Sequence, residues 1–237
     1  MIKLDTYSIK ARVYPSFIVL LPALVIAIYY ISDLKVYYHY LTAIISFGLL
    51  SFILAQLGRD KGKNKEKYLF KVIGGKPTTQ ILRHSNSYLD NITKSRYHQL
   101  LSEKIEGVNL PSLEEEIANP ERADATYNGC AKYLISRTRQ TEKFNLLFKE
   151  NINYGFRRNL WGMKSWAIII LISSAILHSL IATDYYSNIK FEPNHDSYPY
   201  VAFIILGLFW LLVVTKNWVK LTAFAYAERL YETLEEI

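Results

Sequence analysis

Cysteine is almost missing from this sequence: among 237 residues the one thiol is Cys130. A lone cysteine excludes an internal disulfide and a cysteine-built metal cluster, and it reads as a small buried side chain. The five histidines, His39, His84, His98, His178 and His195, are scattered too widely to form an evident metal set. No GxSxG, HExxH or complete phosphate-loop pattern occurs. Glu114, Glu115 and Glu116 are adjacent acids, but neighbouring helical residues point in different directions and make no ready acid–base pair. These absences argue against an enzyme, and they name no cofactor and no metal.

Apolar residues are abundant at 51%, with 19 tyrosines and a net charge of +7. The apolar residues gather into four runs, at residues 16–32, 40–57, 165–183 and 200–214. Each approaches the roughly 20 residues a helix needs to cross a bilayer. Tyr29, Tyr30, Tyr37, Tyr38 and Tyr40 cluster at the first turn-around. Trp161, Trp166, Tyr185, Tyr186, Tyr198, Tyr200 and Trp218 mark the ends of the second pair, the depth that amphipathic rings favour. Lys3, Lys10 and Arg12 precede a first run longer than a signal-peptide core, with no small-residue cleavage site behind it, so that run is expected to stay as a helix.

Orientation follows from the basic residues. If both short hairpin loops are external they hold Lys35 and Lys190, while every other Lys and Arg falls inside, including Arg59, Lys61, Lys63, Lys65 and Lys67. The second external loop then carries Asp184, Glu192 and Asp196. The expected fold is an all-α membrane protein: four transmembrane helices, arranged as two hairpins, flank a helical cytosolic domain, and both termini are cytosolic. The expected divisions are 1–57, 58–163, 164–216 and a cytosolic C-terminal helix at 217–237.

In the central segment, GRDKGKNKEK (58–67) reads as a solvated neck or a helix start, and its charge also suits anionic lipid or nucleic acid. GGKPTT (74–79) lacks the full Walker spacing and predicts a turn feeding a helix capped by Thr78 or Thr79. A helix is expected over about 91–106, with Lys94 and His98 on one face and Leu100, Leu101 and Ile105 on the packed side. Ser112 opens a short acidic helix, and Asn119-Pro120-Glu121 starts another. From there Ala123, Tyr127, Cys130, Leu134, Thr141, Phe144 and Phe148 recur at helical steps, which predicts one long amphipathic helix towards the third span, with Gly155 as a hinge.

Arg83, His84, Lys94, Arg96 and His98, with Arg137 and Arg139 on the long helix, interleave cations with aromatics. That pattern suits phosphate contact and base stacking, hence an anionic nucleotide or single-stranded oligonucleotide, and it equally suits solvated helix faces. In the third span Ser174 and His178 share a face, and the second span has Ser46, Gly48, Ser51 and Gln56. Either set packs a bundle or lines water. A single pair of hairpins cannot enclose a generous aqueous path, so pore lining by Ser174 and His178 requires a homo-oligomer around an axis.

This layout, membrane helices joined to a basic cytosolic module, resembles the small membrane effectors of bacterial anti-phage defence systems, most of all the membrane subunit of the Hailong system. The resemblance covers the layout of the whole chain and rests on no motif, so no functional residue carries over. It implies an inner-membrane channel, tetrameric, held shut by single-stranded DNA oligomers from a nucleotidyltransferase partner. The alternative is a non-conducting membrane anchor or sensor that recruits a soluble partner.

Overall fold

The computed structural model describes residues 5–31, 37–182 and 197–237. Lys35, Asp184, Tyr185, Tyr186, Lys190, Glu192, His195 and Asp196 lie outside the described residues, as do the side chains of Tyr37, Tyr38, His39 and Tyr40. Among the described residues every regular element is helical: α1 (Thr6–Ser8), a π-turn (Ile9–Val13), α2 (Tyr14–Ile31), α3 (Tyr37–Val72), α4 (Pro77–Gln80), α5 (Asn91–Lys104), α6 (Leu113–Ala118), α7 (Pro120–Arg137), α8 (Asn145–Ala182), α9 (Tyr198–Leu208), a second π-turn (Phe209–Val213), α10 (Lys216–Glu232) and a closing 3-10 turn (Thr233–Glu235). The chain divides into an apolar unit, Met1–Lys65 with Gly155–Val219, and a polar unit, Glu66–Tyr154 with Lys220–Ile237.

Three helices are long and apolar enough to cross a membrane: Thr6–Tyr30, Thr42–Gln80 and Asn145–Ala182. A fourth crossing exists if Tyr198–Val213 and Lys216–Glu235, bent by 57°, form one span. The bend falls at Val214, where ψ of 79° leaves the helix. Lys164 Nζ donates to the Val214 carbonyl at 2.9 Å there. The apolar part before the bend is shorter than the roughly 20 residues of a straight crossing.

The N-terminal helix widens for a local reason. Pro15 has no N–H, so the Ala11 carbonyl lacks its ordinary i+4 donor. The amide of Tyr14 bonds instead to the Ile9 carbonyl, which makes the π-turn. Asn159, almost wholly buried in α8, donates its Nδ2 to the Ala11 carbonyl at 2.7 Å.

Residues 58–67 are neither a neck nor a helix start but the interior of α3. Gly58 and Gly62, four apart, lie on its packed face, a small-residue spacing that lets helices touch. A Cβ on Gly162 of α8 would lie 2.5 Å from the Gly62 nitrogen, and one on Gly62 would lie 2.6 Å from Asn159 Oδ1. This contact extends the apolar unit to Lys65 on α3 and back to Gly155 on α8, past the expected divisions at 57 and 163. Gly155 does not interrupt its helix: α8 is continuous from Asn145 to Ala182, and a Cβ on Gly155 would meet the Tyr7 hydroxyl at 2.6 Å.

The polar unit packs Leu82, Leu101, Tyr127, Leu134, Phe144, Leu147, Leu230 and Tyr231 into one core. Its helices begin where the caps dictate. Asp90 accepts from Thr93 at 2.8 Å, Ser112 and Glu115 form a capping box, and Asn119 accepts from Arg122 at 3.1 Å before Pro120. The glycine turn has φ of 86° at Gly74 and 136° at Gly75, which only glycine adopts without strain. The helix behind it starts at Pro77 rather than behind a threonine cap, because proline is pre-set for the first helical position. The expected long amphipathic helix is broken: α7 stops at Arg137, and the Thr138 hydroxyl bonds back to the Leu134 carbonyl at 2.8 Å. The break turns Phe144 and Leu147 into the same core as Leu134.

Gly162→Ala should cost about 1–3 kcal/mol by overpacking, read as a lower thermal midpoint in detergent. Gly129→Ala, with nothing within 4 Å of its Cβ, should stabilise by up to about 1 kcal/mol. Equal responses from the two variants would refute the α3–α8 crossing.

Candidate functional site

Four of the seven cationic candidates make their contacts within the polar unit, two from loop 81–90 and two towards it. Arg83 forms a two-pronged ion pair with Asp124, Nε to Oδ1 at 2.7 Å and Nη2 to Oδ2 at 2.5 Å. Lys94 is buried and donates to the carbonyls of His84 and Asn86. His84 Nε2 donates to the Pro111 carbonyl at 3.0 Å, and His98 Nε2 donates to the Leu82 carbonyl at 2.8 Å. The two imidazoles meet edge to face with centroids 4.8 Å apart. The other three candidates are exposed: Arg96, paired with Glu235 at 3.0 Å, Arg137 over the Tyr133 ring, and Arg139.

Glu116, of the acidic trio, is the anchor of this region. Its carboxylate accepts from the amides of His84 and Ser85, the Ser85 hydroxyl and the Tyr127 hydroxyl. Burial pushes its pKa up, but these hydrogen bonds outweigh burial and leave it below the usual carboxylate value. Burial lowers His98 below the ordinary histidine value, only partly offset by the Leu82 carbonyl. Cys130 is buried and its thiol is pushed up to about 11. Among the described residues no three of His, Cys, Asp and Glu converge as metal ligands.

In the apolar unit His178 is fully enclosed. Its Nδ1 lies 2.7 Å from the Tyr30 hydroxyl, and its ring meets Tyr29 at 5.5 Å, Tyr200 at 4.5 Å and Phe203 at 6.3 Å. Nε2 has no partner among the described residues. Ser174 is buried on the same face. Both therefore face the interior of one chain's helices, between α2, α8 and α9.

The second span presents the opposite picture. Thr42, Ser46, Leu49, Ile53 and Gln56 follow at three- and four-residue steps, share one face of α3, and are all exposed. Ser51, Ala55, Gly58 and Gly62 form the packed face on the other side. The exposed stripe continues through Asp60 and Lys63. Hydrocarbon is a poor surrounding for the Ser46 hydroxyl and the Gln56 amide.

Compared with protein-family models, curated proteins and solved structures, the chain matches none. Sequence reasoning missed Glu116 as an anchor, although its burial follows from its place between the capped start of α6 and the core. It also missed Gly58 and Gly62, whose spacing is a readable signal.

Acid should destabilise the polar unit in two steps. Below about pH 6.5 the unfolded chain protonates a histidine that folded His98 keeps neutral, so stability falls. Below about pH 4.3 protonation of Glu116 adds a second loss, because its stabilisation exists above the unfolded carboxylate pKa and disappears through the folded one. Thermal midpoints against pH should show the first loss shrink in His98→Gln, and an unchanged profile would refute the assignment.

Proposed function

We propose that the chain is a subunit of a multimeric ion channel of the bacterial inner membrane, an effector of anti-phage defence with four crossings and cytosolic termini. The observation that carries this reading is the pair of exposed polar residues, Ser46 and Gln56, on one face of the apolar part of α3. The Ser46 hydroxyl and the Gln56 amide are best satisfied by water on a shared axis or by the same residues of neighbouring copies. This moves the water-facing candidates from Ser174 and His178, which pack within one chain, to Ser46 and Gln56. An anionic nucleotide or single-stranded oligonucleotide, the product of a nucleotidyltransferase partner, gates the path. Arg96, Arg137 and Arg139 are its exposed contacts, while Arg83, His84, Lys94 and His98 shape the loop behind them.

A second reading, a non-conducting anchor that recruits a soluble protein, is favoured by large apolar side chains exposed on the polar unit: Ile92 at 84%, Ile117 at 69% and Leu113 at 49%.

The test is membrane potential, followed with a voltage-sensitive dye in bacteria expressing the chain, beside cross-linking of the purified protein. The wild type should form oligomers and depolarise the cell, and Gln56→Leu or Ser46→Leu should change the depolarisation several-fold with the oligomer intact. An intact potential in every variant, with a soluble protein captured through Ile92 and Ile117, would replace the channel by the anchor.

A further inference from the structure

We infer that the apolar unit holds an anionic phospholipid in a groove between α3 and α8. The groove, of about 300 Å³, is lined by Leu54 and Leu57 from α3 and by Trp166, Ile169 and Ile170 from α8. Its origin is the crossing at Gly62 and Gly162, where backbone meets backbone. About one to two helical turns further into the apolar segments the glycines are replaced by bulky side chains, which hold the helices apart on one flank. The result is an open, wholly aliphatic and aromatic slot in the part of each helix that is apolar enough for a bilayer. Its shape and chemistry suit an acyl chain.

The head of the slot is charged. The Lys61 ammonium lies 5.7 Å over the Trp166 ring, so one indole forms both the wall of the groove and the seat of the cation. Lys61 follows Leu54 and Leu57 at helical steps and is exposed. Lys65, one turn on, is held back by its bond to the Trp161 carbonyl at 2.8 Å and by the Trp161 ring. A phosphate at the head of a chain lying in the groove thus meets Lys61 first. Lys65 and Lys164 of the same unit are close enough to act on one another, and with Lys61 they attract a phosphate and repel a choline or ethanolamine cation. Charge complementarity therefore selects a lipid of net negative charge. This site needs only α3 and α8 in a bilayer and does not depend on the channel reading.

The full chain, purified in detergent, is mixed with phosphatidylglycerol or phosphatidylcholine, and retained lipid is counted by native mass spectrometry beside the thermal midpoint. Phosphatidylglycerol should be retained and raise the midpoint, and phosphatidylcholine should do neither. Lys61→Gln should lower retention about fivefold, Lys61→Arg should keep it, and Lys63→Gln should leave it unchanged. Ile170→Trp, which fills the groove, should abolish retention without lowering the midpoint of the lipid-free protein. Equal losses from Lys61→Gln and Lys63→Gln would reduce the effect to general surface charge and overturn the site. So would equal retention of the two lipids, or an Ile170→Trp variant that dissociates the oligomer with its lipid untouched, since the groove would then seat a second copy.

Discussion

The contact on which the apolar unit depends is the meeting of α3 and α8 at Gly62 and Gly162, with no side chain between them. In a surrounding as apolar as the helices themselves, close van der Waals approach is what holds helices together. Asn159 and Met163 flank that contact, Asn159 reaches on to the N-terminal π-turn, and the groove opens beside it. One pair of hydrogen atoms in place of methyl groups thereby positions three other features.

The polar unit follows a different rule. Its buried and half-buried charges are answered by the chain's own atoms: Arg83 by Asp124, Lys94 by loop carbonyls, Glu116 by four donors. A buried charge without such partners is strongly destabilising. Of the seven basic candidates, Arg96, Arg137 and Arg139 are the exposed ones.

Much of the helical plan was legible because it is written in local chemistry. Asp90, Ser112 and Asn119-Pro120 mark helix starts through hydrogen bonds within a few residues, and the three long apolar helices declare themselves by length. The end of α7 was not legible, since Phe144 and Leu147 keep a helical step and are redirected only by a core assembled from distant segments. Gly155 and Gly62 misled for a related reason. A glycine that admits a neighbour and a glycine that bends a chain look alike until the neighbour is known. For His178 the periodicity gave the face but not its occupants, because Tyr30 and Tyr200 come from other helices.

The Asn159 amide that completes the Ala11 carbonyl has a consequence for biogenesis. Ribosomes deliver the N-terminal helix to the bilayer well before α8 exists, so its widened turn enters with an acceptor that only water at the interface can serve. A segment made before α8 is thus finished only after it. The order of synthesis and the order of assembly are then two different sequences of events.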